Sequence, residues 1–124
     1  MDGNGNCKVV INLATGMEDP ERVMVAFLVA GAAATAGKDV TMFLTKEAVR
    51  LAVPGVAEGV ACEGCPPLPT LATQYAEAGG RFLVCPYCFN TRKLAEDDLV
   101  EHAAIGGATP LWEWIGDGAT VFSY

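Results

Sequence analysis

Short β-rich runs and segments of helical pattern alternate along this chain. The β-rich runs predict four strands, at residues 8–14, 39–45, 81–84 and 119–124. The remaining apolar patterns predict helices at residues 21–37, 46–52, 68–80, 96–104 and 109–115. Asp19 and Pro20 suit the start of the first helix, and glycines follow the first and third. This order predicts a single flavodoxin-like three-layer α/β domain over residues 1–124, with a mostly parallel sheet covered on both faces.

The least regular segment lies at residues 53–69. It contains four prolines and the cysteines Cys62 and Cys65. Glycine and proline at this density interrupt both helical and strand patterns. We therefore predict a loop that is long enough to be functional or mobile.

The composition indicates more apolar surface than a small monomer buries easily. Of the 124 residues, 52% are hydrophobic and 19% are charged, which lie above and below the usual values for globular domains. We therefore expect a homo-oligomer. The net charge of −7 and the pI near 4.5 offer no basic surface for phosphate groups, so we expect neither nucleic acid nor anionic membrane as a partner.

The N-terminal residues MDGNGNCKVV lack the basic region and the apolar stretch of a secretory signal. The most apolar segment, residues 23–37, is shorter than the roughly 20 residues of a membrane span. We expect a cytoplasmic protein without a membrane span. In that compartment, five cysteines indicate metal binding or thiol chemistry rather than structural disulfides.

The segment RFLVCPYCFNTRK, residues 81–93, places a CxxC motif directly after a predicted strand. Ligands and reactive groups of α/β proteins gather at the carboxyl ends of strands. Pro86 suits the first position of a helix, so Cys85 would be its N-cap, with the N–H groups of Tyr87 and Cys88 directed at the sulfur. This arrangement favours thiolate over thiol, and Arg92 or Lys93 would add to the effect by folding back over the site.

These features predict a catalytic set of Cys85, Cys88 and Arg92. Cys85 is the expected nucleophile, and Arg92 assists it electrostatically. Cys88 lies one turn away and is close enough to resolve a disulfide or a persulfide on Cys85. Cys7, which has no neighbouring cysteine in the sequence, is expected to be an ordinary thiol.

Three other interpretations of the cysteines stay open. Cys62, Cys65, Cys85 and Cys88 follow the pattern CxxC-x19-CxxC, which fits a four-thiolate zinc site in a non-catalytic structural oligomer. Neither pair is followed by the glycine that often lets the backbone turn around such a metal. Alternatively, the CEGC segment folds over Cys85 and exchanges disulfides with it, or the cysteines are simply small buried apolar residues.

The motif CPYC is the same as that of glutaredoxins, but here it arrives after about two-thirds of the chain. The chain as a whole resembles the DsrE/DsrF-like proteins, relatives of the sulfur-relay subunits TusD and TusC. The resemblance is strongest at LVCPYCFNTR and at the terminal GATPLWEWIGDGATVFSY. It implies a flavodoxin-like fold, assembly as trimers or hexamers, and a sulfur-carrier role for Cys85. Cys88 and the CEGC segment depart from the simple pattern and favour redox regulation, sulfur release or metal binding.

Together these inferences predict a sulfur carrier or sulfurtransferase that acts through a persulfide or a thiol–disulfide exchange at Cys85. Its partner would be a sulfur donor or acceptor protein, or a small sulfane-sulfur compound, and it would need no cofactor. The alternative function is the zinc-binding structural oligomer. His102 is expected to be a surface histidine. Of Trp112 and Trp114, one is expected in the core and the other at a subunit contact or the rim of a pocket.

Overall fold

The computed structural model describes residues 7–124 and contains one five-stranded sheet. The strands are β1 (Lys8–Leu13), β2 (Asp39–Leu44), β3 (Arg81–Val84), β4 (Ala103–Ile105) and β5 (Thr120–Ser123). Their order is β4-β3-β2-β1-β5, and every recorded strand pair is parallel. The predicted α/β fold is confirmed. The expectation about a secretory signal rests largely on residues 1–6, which lie outside the described residues.

Four α-helices connect these strands: α1 (Pro20–Thr35), α2 (Leu68–Glu77), α3 (Pro86–Thr91) and α4 (Ala108–Ile115). Two 3₁₀ helices, Lys46–Ala52 and Val56–Gly59, occupy the connection from β2 to α2. Asp19 caps α1 by accepting a hydrogen bond from the N–H of Arg22, and Pro20 takes the first helical position, as predicted. Within the part of the chain that the structure describes, no helix is long and apolar enough to cross a membrane.

One face of the sheet forms the core with α1 and α2. Alternate residues of each strand point to this face, and the buried members of this set include Ile11, Met42 and Phe82. The ring of Phe27 on α1 lies edge-on to Phe82, with ring centroids 6.0 Å apart, and Tyr75 on α2 stacks on the same ring at 5.7 Å. These contacts fix the strands at the centre of the sheet, including β3, which leads to the CPYC motif.

Helix α4 crosses the opposite face of the sheet. Lys8 points to this face, because the next strand residue, Val9, points into the core. Its Nζ donates a 2.7 Å hydrogen bond to the carbonyl of Trp114 near the end of α4. At the other edge, Gly106 lies against Leu83 and Pro110. The connection from β4 to β5 therefore returns across the whole sheet, as right-handed crossovers require. Trp114 is half-buried here, whereas Trp112 is 70% exposed.

The helix predicted at residues 96–104 is wrong. Residues 97–102 form turns and irregular backbone, and Ala103–Ile105 form β4 instead. The segment contains two Glu, two Ala and one Leu, which favour helices intrinsically, but its last residues pair with β3. Pairing with a buried strand overrides local propensity. As a result the chain forms two strands after the CPYC motif rather than one.

His102 is half-buried rather than on the fully solvated face that the sequence predicted. Its ring lies 4.6 Å from the ring of Phe82, between centroids, and 6.3 Å from that of Tyr75. Its buried Nε2 atom has no hydrogen-bond partner. Burial lowers the pKa of His102 below its usual 6.5, and the nearby Glu101 carboxylate acts more weakly in the opposite direction. The folded chain therefore favours the neutral imidazole.

We expect this histidine to make the fold sensitive to mild acid. The pKa of His102 is lower in the folded chain than in the unfolded chain. The neutral imidazole therefore contributes its full stabilisation above the unfolded pKa, and this stabilisation is lost as the pH falls through the folded pKa. Between about pH 8 and about pH 5.5, the free energy of unfolding should fall, and the loss should be small because the ring is only half-buried. Urea unfolding at both pH values measures this loss. His102→Leu should remove it and Glu101→Gln should keep it, whereas equal losses in wild type and His102→Leu would contradict the assignment.

Candidate functional site

Cys85 occupies the position that the sequence predicts, between the end of β3 and the start of α3. Its N–H donates a 3.0 Å hydrogen bond to the carbonyl of Leu44 at the end of β2, which extends the parallel ladder. Its carbonyl accepts a 3.0 Å hydrogen bond from the N–H of Phe89 and so begins α3. Pro86 takes the first helical position, where its missing N–H costs no hydrogen bond. Cys85 is thus the N-cap residue of α3, with a free, partly exposed thiol.

The expected hydrogen bonds from α3 to the sulfur are not formed. The Cys85 side chain accepts no capping hydrogen bond from the helix. Cysteine sulfur is a weak acceptor, so the side chain gains little by turning towards the N–H groups of Tyr87 and Cys88. The N-cap position is therefore confirmed, and the predicted capping geometry is wrong.

Cys85 also lies beside the loop that leaves the edge strand β4. The chain leaves β3 towards the face that carries α1 and α2, and it leaves the neighbouring β4 towards the face that carries α4. The two departing loops are adjacent, because the N–H of Gly106 donates a 2.9 Å hydrogen bond to the carbonyl of Val84, and Gly107 lies beside Pro86. In open α/β sheets, ligands bind outside the carboxyl ends of the strands, which is where both loops lie.

Cys88 lies one helical turn after Cys85. It is partly exposed, carries a free thiol, and packs against the edge of the core. The next residue, Phe89, is completely buried and anchors α3. Tyr87, between the two cysteines, is 82% exposed. The short helix thus turns one aromatic ring inward and another outward, and leaves both thiols at the boundary.

The structure places Arg92 at the end of α3, where Glu47 binds it. Its Nε donates a 2.7 Å hydrogen bond to Glu47, and its Nη1 donates one of 3.2 Å to the carbonyl of Cys88. Arg50 and Arg92 bind the Glu47 carboxylate, and these hydrogen bonds hold its pKa below the usual value. Arg92 therefore tethers α3 to the 3₁₀ helix Lys46–Ala52. Its electrostatic effect on Cys85 stays a prediction.

Sequence reasoning missed three residues around this site. Glu47 carries no motif, and its pairing with Arg92 spans 45 positions. Gly16, in the loop after β1, is buried against the Glu47 backbone, where a Cβ atom would come within 2.8 Å of the carbonyl oxygen. Gly107 borders Pro86. The pair GG at residues 106–107 was the available signal, but it required recognising β4 first.

The other three cysteines do not join this site. Cys62 and Cys65 form a disulfide with each other, with Cα atoms 5.3 Å apart. Cys7 is exposed and precedes β1, so it lies at the opposite end of the parallel sheet, roughly 20 Å of strand from the level of Cys85. Among residues 7–124, no group of three or more Cys, His, Asp or Glu side chains is arranged to hold a metal ion. The zinc interpretation therefore finds no support in the structure.

A surface groove on the described residues lies elsewhere. It has a volume of about 440 Å³ and runs between α1 and α2, where its walls include Phe27, Leu28 and Leu71. Its lining contains no nucleophilic cysteine and no titratable side chain. This groove can hold apolar groups, but it offers nothing for thiol chemistry. The thiol chemistry of the described residues points to the end of β3 instead.

Comparison with known proteins supports one family. The sequence model of the DsrE/DsrF-like family matches residues 8–124. A search of curated proteins gave no significant match.

Several solved structures share this fold. The ychN protein from E. coli superposes with a TM-score of 0.76 at 18% identity, covering 94% of this chain and 98% of its own. MTH1491 from Methanobacterium thermoautotrophicum gives 0.67 at 14% identity, covering 94% and 98%. BT1422 from Bacteroides thetaiotaomicron gives 0.66 at 18% identity, covering 94% of each chain. Identities this low establish a common fold alone.

Proposed function

This chain belongs to the DsrE/DsrF-like family, and on that premise we propose that it takes up sulfane sulfur on Cys85 as a persulfide. Membership indicates a general role in sulfur relay or thiol redox chemistry. The observation that carries the more specific proposal is the place of Cys85. It is a free, partly exposed thiol at the end of β3, where the adjacent loops leave the sheet in opposite directions.

The surroundings of Cys85 suit a transfer reaction. Its backbone is held on one side by Leu44 and on the other by Phe89, each through a 3.0 Å hydrogen bond. Gly107 of the β4–α4 loop carries no side chain and borders Pro86. A nucleophile whose backbone is fixed in this way needs little rearrangement to meet a small persulfide or the persulfide of a partner protein.

In the proposed reaction, the Cys85 thiolate attacks the terminal sulfur of a donor persulfide. A new bond forms between Cys85 Sγ and that sulfur, and the bond within the donor breaks. The donor leaves as a thiolate and takes the proton that Cys85 gave up. No electrons enter or leave the pair of reactants. An acceptor thiol, on a small molecule or another protein, takes the sulfur by the same exchange in reverse.

The test uses the fully reduced chain and one equivalent of glutathione persulfide. We expect glutathione to appear in an amount equal to the chain, well ahead of the decay of the donor without protein. Peptide mapping without reductant should show that Cys85 has reacted, either as a persulfide or in a disulfide. Reaction confined to the exposed Cys7, or no reaction beyond donor decay, would reject the proposal.

We also propose that the chain is a homo-oligomer, a trimer or a hexamer, with β5 at a subunit contact. Among residues 7–124, β5 is an edge strand that pairs with β1 alone, and its four residues are exposed. Val121 is 55% exposed on one face and Phe122 is 42% exposed on the other. Natural proteins rarely leave a bare apolar edge in water, because it pairs with other chains. A second copy of the chain is the occupant that we propose.

Val121→Lys should weaken this assembly. Burying an unpaired ammonium group at a subunit contact costs several kcal/mol, which corresponds to at least about a tenfold weaker association. Native mass spectrometry across a dilution series measures the change. Ala104→Lys is the matched control, because Ala104 lies on the same face of the sheet at the opposite edge. Assemblies that resist Val121→Lys but dissociate with Ala104→Lys would place the contact at β4 instead.

A further inference from the structure

The second cysteine of the CPYC motif is placed to react with the first. Cys85 is the N-cap of α3, and Cys88 follows it by three residues. Side chains with this spacing on a helix are neighbours, with Cβ atoms about 5–6 Å apart. This chain already bridges two cysteines of the same spacing, since Cys62 and Cys65 form a disulfide across a Cα separation of 5.3 Å. That separation lies within the normal range for disulfides.

Both ends of the turn that contains Cys85 and Cys88 are held in place. Cys85 continues the ladder with Leu44, and the carbonyl of Cys88 accepts the hydrogen bond from Arg92. Arg92 is itself fixed by Glu47. The two thiols are free and partly exposed, and in the described part of the chain no third metal ligand completes a group around them. A sulfur atom carried on Cys85 would therefore lie beside the free thiol of Cys88.

We propose, resting on the function proposed above, that Cys88 discharges the Cys85 persulfide, so that the chain releases its sulfur as hydrogen sulfide. The Cys88 thiolate attacks Cys85 Sγ. The bond from Cys85 Sγ to the terminal sulfur breaks, and hydrosulfide leaves with the electron pair and takes a proton. A disulfide then joins Cys85 and Cys88. Two thiols have been oxidised to a disulfide, and the sulfane sulfur has been reduced to sulfide.

The cosubstrate of this reaction is a dithiol. One thiolate of the dithiol attacks the Cys85–Cys88 disulfide, and its second thiol resolves the mixed disulfide, which returns both cysteines to the thiol form. The net reaction converts a persulfide and a dithiol into a thiol, hydrogen sulfide and a disulfide. The chain acts as a persulfide reductase in this scheme, and a thiol acceptor receives sulfur only when it reacts faster than Cys88.

Intramolecular attack gives Cys88 a large advantage over external thiols. Well-oriented intramolecular reactions have effective molarities of about 10⁵ M or more. Even if the approach of Cys88 to Cys85 is strained, its attack would therefore be faster than attack by millimolar external thiols by orders of magnitude. The chain departs from a single-cysteine carrier in this respect, and the departure changes its product from a transferred sulfur to a free sulfide.

The experiment follows the fate of one sulfur in a single turnover. Reduced chain, freed of reductant, is mixed with one equivalent of glutathione persulfide, and sulfide release and intact mass are recorded together. Wild type should release one sulfide per chain and lose two hydrogens, with Cys85 and Cys88 joined in one peptide. Cys88→Ser should retain the sulfur on Cys85 and release sulfide at least about 10²-fold more slowly. Cys88→Ala serves as a second variant, and circular dichroism checks the fold of both.

The matched control is the double variant Cys62→Ser/Cys65→Ser, which removes the other CxxC pair and should release sulfide like wild type. Loss of release in this control would assign the discharge to the CEGC segment and overturn the inference. If wild type released sulfide as slowly as Cys88→Ser, the inference about Cys88 would be overturned, but the proposed uptake of sulfur on Cys85 would not be affected. Failure of wild type and Cys88→Ser alike to consume the donor would reject the uptake itself.

Discussion

Replacing Cys85 by serine is expected to stop the chain from taking sulfane sulfur. A serine hydroxyl is a poor nucleophile towards sulfur at neutral pH, so residue 85 can no longer break the donor bond. We expect the protein-dependent release of glutathione from glutathione persulfide to fall by at least about tenfold. The substitution replaces a partly exposed sulfur by oxygen and leaves both backbone hydrogen bonds of this residue in place. The fold and the assembly should therefore be unchanged.

The remaining thiols define the controls for this variant. Cys7 is exposed and can react slowly with any soluble persulfide, so Cys7→Ser is prepared alone and together with Cys85→Ser. We expect Cys7→Ser to release glutathione at nearly the wild-type rate. In the double variant, glutathione should appear only as fast as the donor decays without protein. If Cys85→Ser kept the wild-type rate and Cys88→Ser lost it, Cys88 would be the primary nucleophile and the roles of the two cysteines would be exchanged.

The local features of this site could be predicted from the sequence because they depend on neighbouring residues. The apolar run at residues 81–84 ends directly before Cys85, and Pro86 has no N–H to continue a strand ladder. Those two facts suffice to place Cys85 between a strand and a helix. The absent capping hydrogen bond could not be predicted in the same way, because it depends on the orientation of one side chain.

The features that depend on contacts between residues far apart in the sequence could not be predicted from it. Ala103–Ile105 favour a helix by composition, and only the ladder with β3 makes them a strand. Without β4, the loop at residues 106–107 that lies beside Cys85 could not be placed from the sequence. The pairing of Glu47 with Arg92 and the contact of His102 with Phe82 likewise join segments that no periodicity connects.

Gly80 is a further residue whose importance appears only in three dimensions. Gly79 and Gly80 close α2, where the N–H of Gly80 donates a 2.9 Å hydrogen bond to the carbonyl of Tyr75. A Cβ atom at Gly80 would overlap the Tyr75 ring. That ring cannot move aside easily, because it is completely buried and its hydroxyl donates a 2.6 Å hydrogen bond to the carbonyl of Arg81. Burial raises the pKa of Tyr75, so the donor stays protonated.

Gly80→Ala should therefore destabilise the chain by about 3 kcal/mol or more, which lowers the midpoint of thermal unfolding by roughly 10 °C. The matched control is Gly31→Ala on α1, where a Cβ atom meets nothing within 4 Å and the gain in helix propensity should stabilise by about 0.5–1 kcal/mol. Thermal unfolding followed by circular dichroism measures both. Because Gly80 directly precedes β3, a displaced strand would also move Cys85, and sulfur uptake should fall in Gly80→Ala at temperatures where it is still folded. Equal stability of the two variants would show that Tyr75 repacks freely and that the entry to β3 is less constrained than its contacts indicate.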